Sequence, residues 1–465
     1  MTRVVIIGGG PGGYEAALVG SQLGGEVTLI DSDGLGGSAV MTDCVPSKTL
    51  IATAEVMTEV KDSAELGLRL GGDKAGVEVD LGAVNRRVLD LAARQSEDIG
   101  RRLREQGIEV VIGRGRLERA DRVVAATADG DRDFDADLVL IATGAHPRVL
   151  PDAVPDGERI LTWTQVYGLS ELPERLIVIG SGVTGAEFAS GYDALGAEVV
   201  LISSRDRVLP GEDADAAQVL EDVFSRRGLT VLSRSRAQAV RRDGDQVNVT
   251  LTDGRTVTGS HCLLAVGSIP NTADMGLAEA GVVLDQGGFV TVDKVSRTSV
   301  RSVYAAGDCT GVFMLASVAA MQGRIAMWHA LGDRVEPLDL KVVSANVFTA
   351  PEIATVGMSQ TQADVAVPKV ATVNLPLATN ARAKMQGFHD GFVKVFCLPV
   401  TGIIVGGVVV APRASELIFP LAIAVSHRLT VDDLAGSFTV YPSISGSLAE
   451  AARRLHLHGQ DLVSS

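Results

Sequence analysis

Two clusters of glycine carry the most specific chemistry in this 465-residue sequence. Gly8, Gly10 and Gly13 stand in G-x-G-x-x-G spacing, and Gly180, Gly182 and Gly185 repeat it. That spacing permits a tight turn and lets the backbone approach a pyrophosphate, whose charge meets the N-terminus of the following helix. The spacing alone is a weak signal; its context makes it specific. Val4 to Ile7 is a continuous apolar run ahead of the first cluster, as a buried parallel strand requires. Tyr14 to Leu23 reads as the helix and Val27 to Ile30 as the next strand. Asp31 ends that strand, where an acid binds ribose hydroxyls. Around the second cluster, Leu176 to Ile179 reads as strand, Phe188 to Leu195 as helix and Val199 to Ile202 as strand. Two complete units imply two bound dinucleotides. A duplicated unit with one dead site is the alternative, and the intact context of the second unit argues against it.

The remaining composition suits an enzyme that positions such units. Hydrophobic residues make up 46%, and the 52 glycines fit many tight strand-to-helix turns. A net charge of -15 repels phosphate backbones, so nucleic acid is not expected as a partner. Cys44, Cys262, Cys309 and Cys397 are widely scattered, which fits reduced thiols in a cytoplasmic protein better than a disulfide framework. No metal-ligand spacing occurs, and no metal is expected. Strand residues from Arg3 leave no room for a signal peptide. The longest apolar run, Gly402 to Ala411, is shorter than the about 20 residues a membrane span needs.

Further elements follow in order. Val84 to Leu103 has the period of a surface-facing helix. Strand signals occur at Glu109 to Ile112 and Val123 to Ala126, with Gly115 between them as a further cofactor contact candidate. Leu138 to Ile141 leads into Thr143 and Gly144, and Pro147, Pro151 and Pro155 mark a linker. Leu263 to Gly267 closes the second unit, making Gly267 a candidate contact as well. From Lys341 the pattern becomes strands, around Pro351 to Gly357, Gly391 to Val395 and Ile403 to Gly407, then helices at Ser415 to Arg428 and Ser447 to Leu455. This suggests an α+β layer.

One segment narrows the reading. Gly36 and Gly37 are followed by Ala39, then after four residues by Cys44, and after one more by Pro46-Ser47-Lys48. This resembles the redox-active segment of the flavoprotein disulfide reductases: lipoamide dehydrogenase, glutathione reductase and mercuric reductase. That family has a Cys at the place held here by Ala39. A single sulfur cannot form the redox disulfide. The resemblance covers nearly the whole chain. It implies an α/β fold with two Rossmann-like domains, binding FAD first and NAD(P) second, plus a C-terminal α+β dimerisation domain. The implied division is 1–150 and 271–335 for FAD, 151–270 for NAD(P) and 336–465 for the dimer interface.

The resemblance also assigns roles. Asp308, in Gly307-Asp308, takes the place that bonds the ribityl chain, and Met314, Leu315 and Ala316 take the flavin-contacting helix start. Thr143 and Gly144 match the point where the chain leaves the flavin domain. Lys48 is implied to lie near the flavin N5, paired with Glu187, two residues after Gly185. A fixed cation there stabilises the negative charge that builds on the ring as it is reduced. The bland alternative is a surface Lys and a surface helical Glu. Cys44 keeps the family place nearest the flavin, either as a charge-donating thiolate or, the favoured reading, as a small buried filler.

Two departures point to a changed acceptor. The family's partner-supplied His and Glu are Tyr441 and Gly446 here, and His456 and His458 fall past the motif. Tyr441 is implied either to hydrogen-bond a quinone-like acceptor or to pack at the subunit interface. At the end of the second strand of the NAD(P) unit stands Ser203 rather than an acid, followed by Arg205, Asp206 and Arg207. Loss of the acid favours a 2′-phosphate, which Arg205 or Arg207 can bind unless they are solvated or paired with Asp206. The chain thus resembles the NAD(P)H quinone dehydrogenase branch of the family. The expectation is a cytoplasmic homodimer that passes electrons from NADPH or NADH through FAD to a quinone. A soluble pyridine nucleotide transhydrogenase and a non-catalytic redox sensor are the alternatives.

Overall fold

The computed structural model describes residues 1–68 and 77–456. His458 lies outside the described residues.

In chain order the first unit runs β1 (Arg3–Ile7), α1 (Pro11–Gln22), β2 (Glu26–Asp31), α2 (Cys44–Asp62), α3 (Leu81–Glu105), β3 (Glu109–Ile112) and β4 (Leu138–Ile141). The second runs β5 (Ile160–Thr162), β6 (Arg175–Ile179), α4 (Val183–Leu195), β7 (Glu198–Ile202), α5 (Ala214–Arg227), β8 (Thr230–Leu232) and β9 (His261–Leu264). The chain returns through β10 (Val303–Ala305) and α6 (Ala316–Ala330). It ends in a layer with β11 (Ser344–Val347), β12 (Glu352–Gly357), β13 (Ala371–Pro376), β14 (Phe392–Cys397) and β15 (Ile404–Ala411).

The strands make two parallel sheets, β10-β4-β1-β2-β3 and β8-β7-β6-β9-β5. Their central strands are buried on both faces, which explains their uninterrupted Val, Ile and Leu content. The third sheet, β11-β12-β15-β14-β13, is antiparallel and covered by C-terminal helices. The fold is therefore α/β, with the α+β layer last.

The glycine turns are needed sterically. A Cβ at Gly13 would lie 1.8 Å from the Gly8 carbonyl oxygen, and one at Gly185 would lie 1.8 Å from that of Gly180. Each helix thereby rests directly on the turn after its strand. Pro11 begins α1, where its missing N–H costs nothing and its fixed φ suits the helix.

Helix α2 runs alongside α4, close enough that a Cβ on Gly191 would touch Leu50 and Ile51 at 3.9 Å. This packing brings the first two units together. A second tie links the second unit to the third sheet. Lys394 on β14 donates to both oxygens of Asp213 at 2.8 and 3.0 Å and to Asp215 at 2.7 Å. Asp213 is also the N-cap of α5.

Several details differ from the sequence expectations. The helix expected over Ser415 to Arg428 is two pieces, Ala414–Leu417 and Phe419–Ser426. Pro420 lacks the N–H that would continue the first into the second. Helices α2 and α5 add to the expected set, as do antiparallel three-stranded sheets at Arg114–Asp135 and Ala237–Gly259.

Candidate active site

Because α2 starts at Cys44, Cys44 and Lys48 lie one helical turn apart on the same face. Glu187 sits on α4, which packs against α2. The Lys48 ammonium donates to Glu187 Oε2 at 2.7 Å. The Phe348 backbone N–H donates to the other carboxylate oxygen at 2.9 Å. The Phe348 ring lies 4.8 Å from the Lys48 nitrogen. Glu187 is only 4% exposed, whereas Lys48 is 29% exposed. The acid is thus the more deeply buried partner of the pair. Burial would lower the Lys48 pKa, but the Glu187 charge and hydrogen bond outweigh it and hold it above the ordinary range. Burial pushes the Glu187 carboxyl up, and Lys48 opposes that shift. Such a pair holds a positive charge in place in a partly dry environment.

Cys44 is a free, half-buried thiol. Burial, aided by the negative charge of Asp43, pushes it up to about 12. That argues for a neutral thiol and against a thiolate at physiological pH. Asp43 was not singled out by sequence reasoning. It precedes α2 but its side chain makes no capping bond, and burial raises its pKa against the pull of Lys48. Asp308 carries a carboxyl raised to about 6 by burial and by Asp43. No described residue hydrogen-bonds the Asp308 side chain.

The surroundings fit a flavin dinucleotide. The N-termini of α1 and α6 have no side-chain cap, leaving backbone N–H groups for a phosphate or a ring oxygen. A Cβ at Gly10 would meet the Gly37 Cα at 3.9 Å, an ordinary contact, so the turn packs against the Gly36–Gly37 segment without crowding. Asp31 is buried at the end of β2 and accepts the Gly9 N–H at 2.6 Å, which fixes the turn. Burial raises its pKa, and three backbone N–H groups oppose the shift. Gly115 packs against Ile7, where a Cβ would lie 2.8 Å from its side chain. Thr143 and Asn271 are cross-linked by hydrogen bonds of 2.7 and 2.8 Å, joining the two crossings between the units. Gly144 and Gly267 take positive φ beside these crossings, with open space where a Cβ would point. Met314 is exposed just before α6, Leu315 is its N-cap and Ala316 its first residue.

In the second unit Gly182 faces open space and caps α4 with no side chain, again suiting a phosphate. The specificity loop needs correction in detail. Ser203 is fully buried and shares a 2.7 Å hydrogen bond with Ser181, so it braces the loop from beneath and does not present itself to a ribose. Arg207 donates to the Pro210 and Glu212 carbonyls at 3.4 Å, which turns its guanidinium inward. Arg205 remains exposed. Arg234, which sequence reasoning missed, joins it: its backbone N–H donates to the Arg205 carbonyl at 2.7 Å. No described residue forms an ion pair with either guanidinium. The pairing of β7 with β8 brings these two cations to one strand-end edge.

Tyr441 is not joined to this site within one chain. It is 85% exposed, on a surface shared with exposed Phe438 and Val440. Gly446 starts the last helix. Among the described residues no metal-ligating cluster occurs, and no helix is long and apolar enough to cross a membrane.

Comparison with known proteins agrees with this architecture. The model of the pyridine nucleotide-disulphide oxidoreductase family matches residues 2–323, and that of its dimerisation domain matches residues 343–452. A protein of Mycobacterium tuberculosis (strain ATCC 25618 / H37Rv) named NAD(P)H dehydrogenase (quinone) is 54% identical over 98% of this chain and 94% of its own. A dihydrolipoyl dehydrogenase of Chlamydia trachomatis serovar D is 33% identical over 96% of this chain and 95% of its own. The crystal structure of LpdA from Mycobacterium tuberculosis superposes with a TM-score of 0.94 at 53% identity, over 98% of this chain and 100% of that one. The protein belongs to the pyridine nucleotide-disulfide oxidoreductase family and is an NAD(P)H-dependent flavoprotein oxidoreductase.

Proposed function

We propose that the protein is a homodimeric FAD enzyme that oxidises NADPH or NADH and reduces a quinone-type acceptor, without thiol-disulfide chemistry. The balanced reaction is NAD(P)H, a proton and a quinone giving NAD(P)⁺ and a quinol. The observation that carries this is the Lys48–Glu187 pair, retained at 2.7 Å beside a lone Cys44, with Ala39 in place of a second sulfur. Bound FAD would supply the electron relay between nicotinamide and acceptor. Lys48 would hold positive charge at the flavin N5, and Glu187 would orient it. Tyr441 would act from the other subunit, a reading supported by its exposure within a matched dimerisation domain. The name of the Mycobacterium tuberculosis relative supports the quinone. The division proposed is 1–150 with 271–335 for FAD, 151–270 for NAD(P) and 336–465 for dimerisation.

The absence of thiol chemistry is testable. Ala39→Cys creates a potential partner for Cys44, but Tyr441 and Gly446 still supply no His-Glu proton shuttle. Negligible turnover of lipoamide and glutathione disulfide is expected from this variant. Substantial turnover after this one change would show that the missing dyad matters little.

Nucleotide choice is proposed to rest on Arg205 with Arg234. Two guanidinium groups reaching a 2′-phosphate gain charge-assisted hydrogen bonds of roughly 1.5 to 3 kcal/mol, or about ten- to a hundredfold. NADPH is therefore expected to be preferred to NADH or used equally well. The double variant Arg205→Ala, Arg234→Ala should raise the NADPH Michaelis constant about tenfold or more and leave that for NADH unchanged. Equal effects on both nucleotides would remove the 2′-phosphate from the role of this loop.

A further inference from the structure

Reduction of a quinone to a quinol consumes a proton that no residue above is assigned to supply. The positions that hold the proton shuttle in the resembled reductases are Tyr441 and Gly446 here, and Tyr441 is not joined to the site within one chain. Asp43 stands next to Cys44, directly ahead of α2. Its backbone is pinned at both polar groups: the N–H donates to the Ser38 carbonyl and the carbonyl accepts the Ser47 N–H, each at 2.7 Å. The segment before Ser38 is seated on the first glycine turn, where the Gly36 N–H donates to the Gly9 carbonyl at 2.8 Å. Asp43 is thus tied on one side to that turn and on the other to the helix that carries Lys48. Its carboxyl, by contrast, caps nothing and hydrogen-bonds to no described residue. The residue is only half-buried, which leaves part of it within reach of a ligand.

The titratable and charged groups around Asp43 are Cys44 and Lys48 on α2, Glu187 on α4, Tyr167 in the turn after β5 and Asp308 after β10. Lys48 and Glu187 are committed to each other at 2.7 Å. Burial pushes the Cys44 thiol up to about 12 and the Tyr167 hydroxyl well above the ordinary tyrosine range, so both hold their protons firmly. The resemblance gives Asp308 to the ribityl chain. Asp43 is left as the unpaired acid of the site. Burial raises its pKa against the pull of Lys48, which favours the neutral form that can donate.

We propose that Asp43 is the catalytic acid of the acceptor half of the reaction, giving its carboxyl proton to an oxygen of the quinone. The proposal rests on the quinone reading above. A quinone that has gained a hydride equivalent carries one negative oxygen. An O–H bond forms there as the Asp43 O–H bond breaks, and the carboxylate regains its proton from water. That proton is the one consumed in the overall reaction.

Two acceptors separate the electrons from the proton. Ferricyanide takes up an electron and no proton, whereas a benzoquinone takes up both. In Asp43→Asn, stopped-flow reoxidation of the NADPH-reduced holoenzyme by the benzoquinone should slow about a hundredfold or more, the usual worth of a positioned acid. Reoxidation by ferricyanide and reduction of the flavin by NADPH should keep their wild-type rates. The wild-type benzoquinone rate should fall as pH rises through the raised Asp43 pKa, because only the protonated acid donates, and the variant should lack that fall. The melting temperature of the FAD-free protein should not drop, since the carboxyl makes no bond for Asn to lose. Equal slowing with both acceptors overturns the proposal, as does an unchanged benzoquinone rate or a lowered melting temperature. So does a pH dependence that survives in Asp43→Asn and disappears in Tyr441→Phe, which would place the donor on the partner subunit. A wild type that passes electrons to ferricyanide but to no quinone would overturn the proposed function, and this proposal with it.

Discussion

Lys48→Ala should slow reduction of the bound flavin by NADPH by about a hundredfold or more, while FAD stays bound. The Lys48 side chain is 29% exposed and its ammonium is held at 2.7 Å by Glu187, whose side chain is 4% exposed, so its position is set before substrate arrives. Removing one such preorganised charge from the place where charge develops typically costs about 10² to 10³ in rate. The loss should appear in the rate of reduction rather than in binding, because the Phe348 N–H and the α4 backbone remain to hold Glu187. Burial already pushes the Glu187 carboxyl up, so without Lys48 it should take a proton instead of staying as an unpaired charge. Stopped-flow absorbance of the flavin under anaerobic conditions measures this directly. An unchanged rate constant would remove Lys48 from the chemistry.

The largest effect on stability is expected away from the site. Lys394→Ala should destabilise the protein by about 3 to 5 kcal/mol, the usual cost of breaking a buried ion pair. The Lys394 side chain is 2% exposed and Asp213 is 3% exposed, so water cannot replace the lost partner. Asp213 would still be fixed by its capping bonds to Asp215 and Ala216 at the start of α5. Its charge would then stand uncompensated between the second unit and the third sheet. The double variant Lys394→Met, Asp213→Asn should recover most of the loss, since Met fills the volume and Asn keeps the cap. Urea unfolding of the three proteins tests the argument. A loss below about 1 kcal/mol in Lys394→Ala would mean that the cluster is solvated in solution.

The parts of this molecule legible in the sequence are those fixed by short-range spacing. Gly13 and Gly185 are required by contacts five residues back in the chain, so the motif and its reason coincide. Lys48 and Glu187 were legible for a related reason: each has a fixed offset from a recognisable segment, although only the packing of α2 on α4 joins them. Helix α2 itself was obscured by Pro46. A proline in the first turn is harmless, because the N–H groups there have no intrahelical partner. The strand Gly130–Asp135 was hidden by its Asp and Arg content, which reads as a loop until its partner Arg122–Thr127 is known. Arg234 and Asp43 were out of reach for a deeper reason. One is placed by strand pairing with a distant segment, the other is conspicuous only because its carboxyl is left unpaired at the start of α2. Ser203 shows the opposite error: a strand end identified correctly, with the side chain turned under the loop.

The most direct test of the central claim is steady-state NADPH oxidation by the purified holoenzyme against a panel of acceptors. The panel should contain a benzoquinone, lipoamide, glutathione disulfide and thio-NAD. A retained Lys48–Glu187 pair with a single, neutral Cys44 predicts rapid quinone-dependent oxidation, no measurable reduction of either disulfide and only slow transfer to thio-NAD. Disulfide turnover at a rate comparable to that with quinone would contradict the account, as would thio-NAD as the best acceptor or no turnover with any of the four.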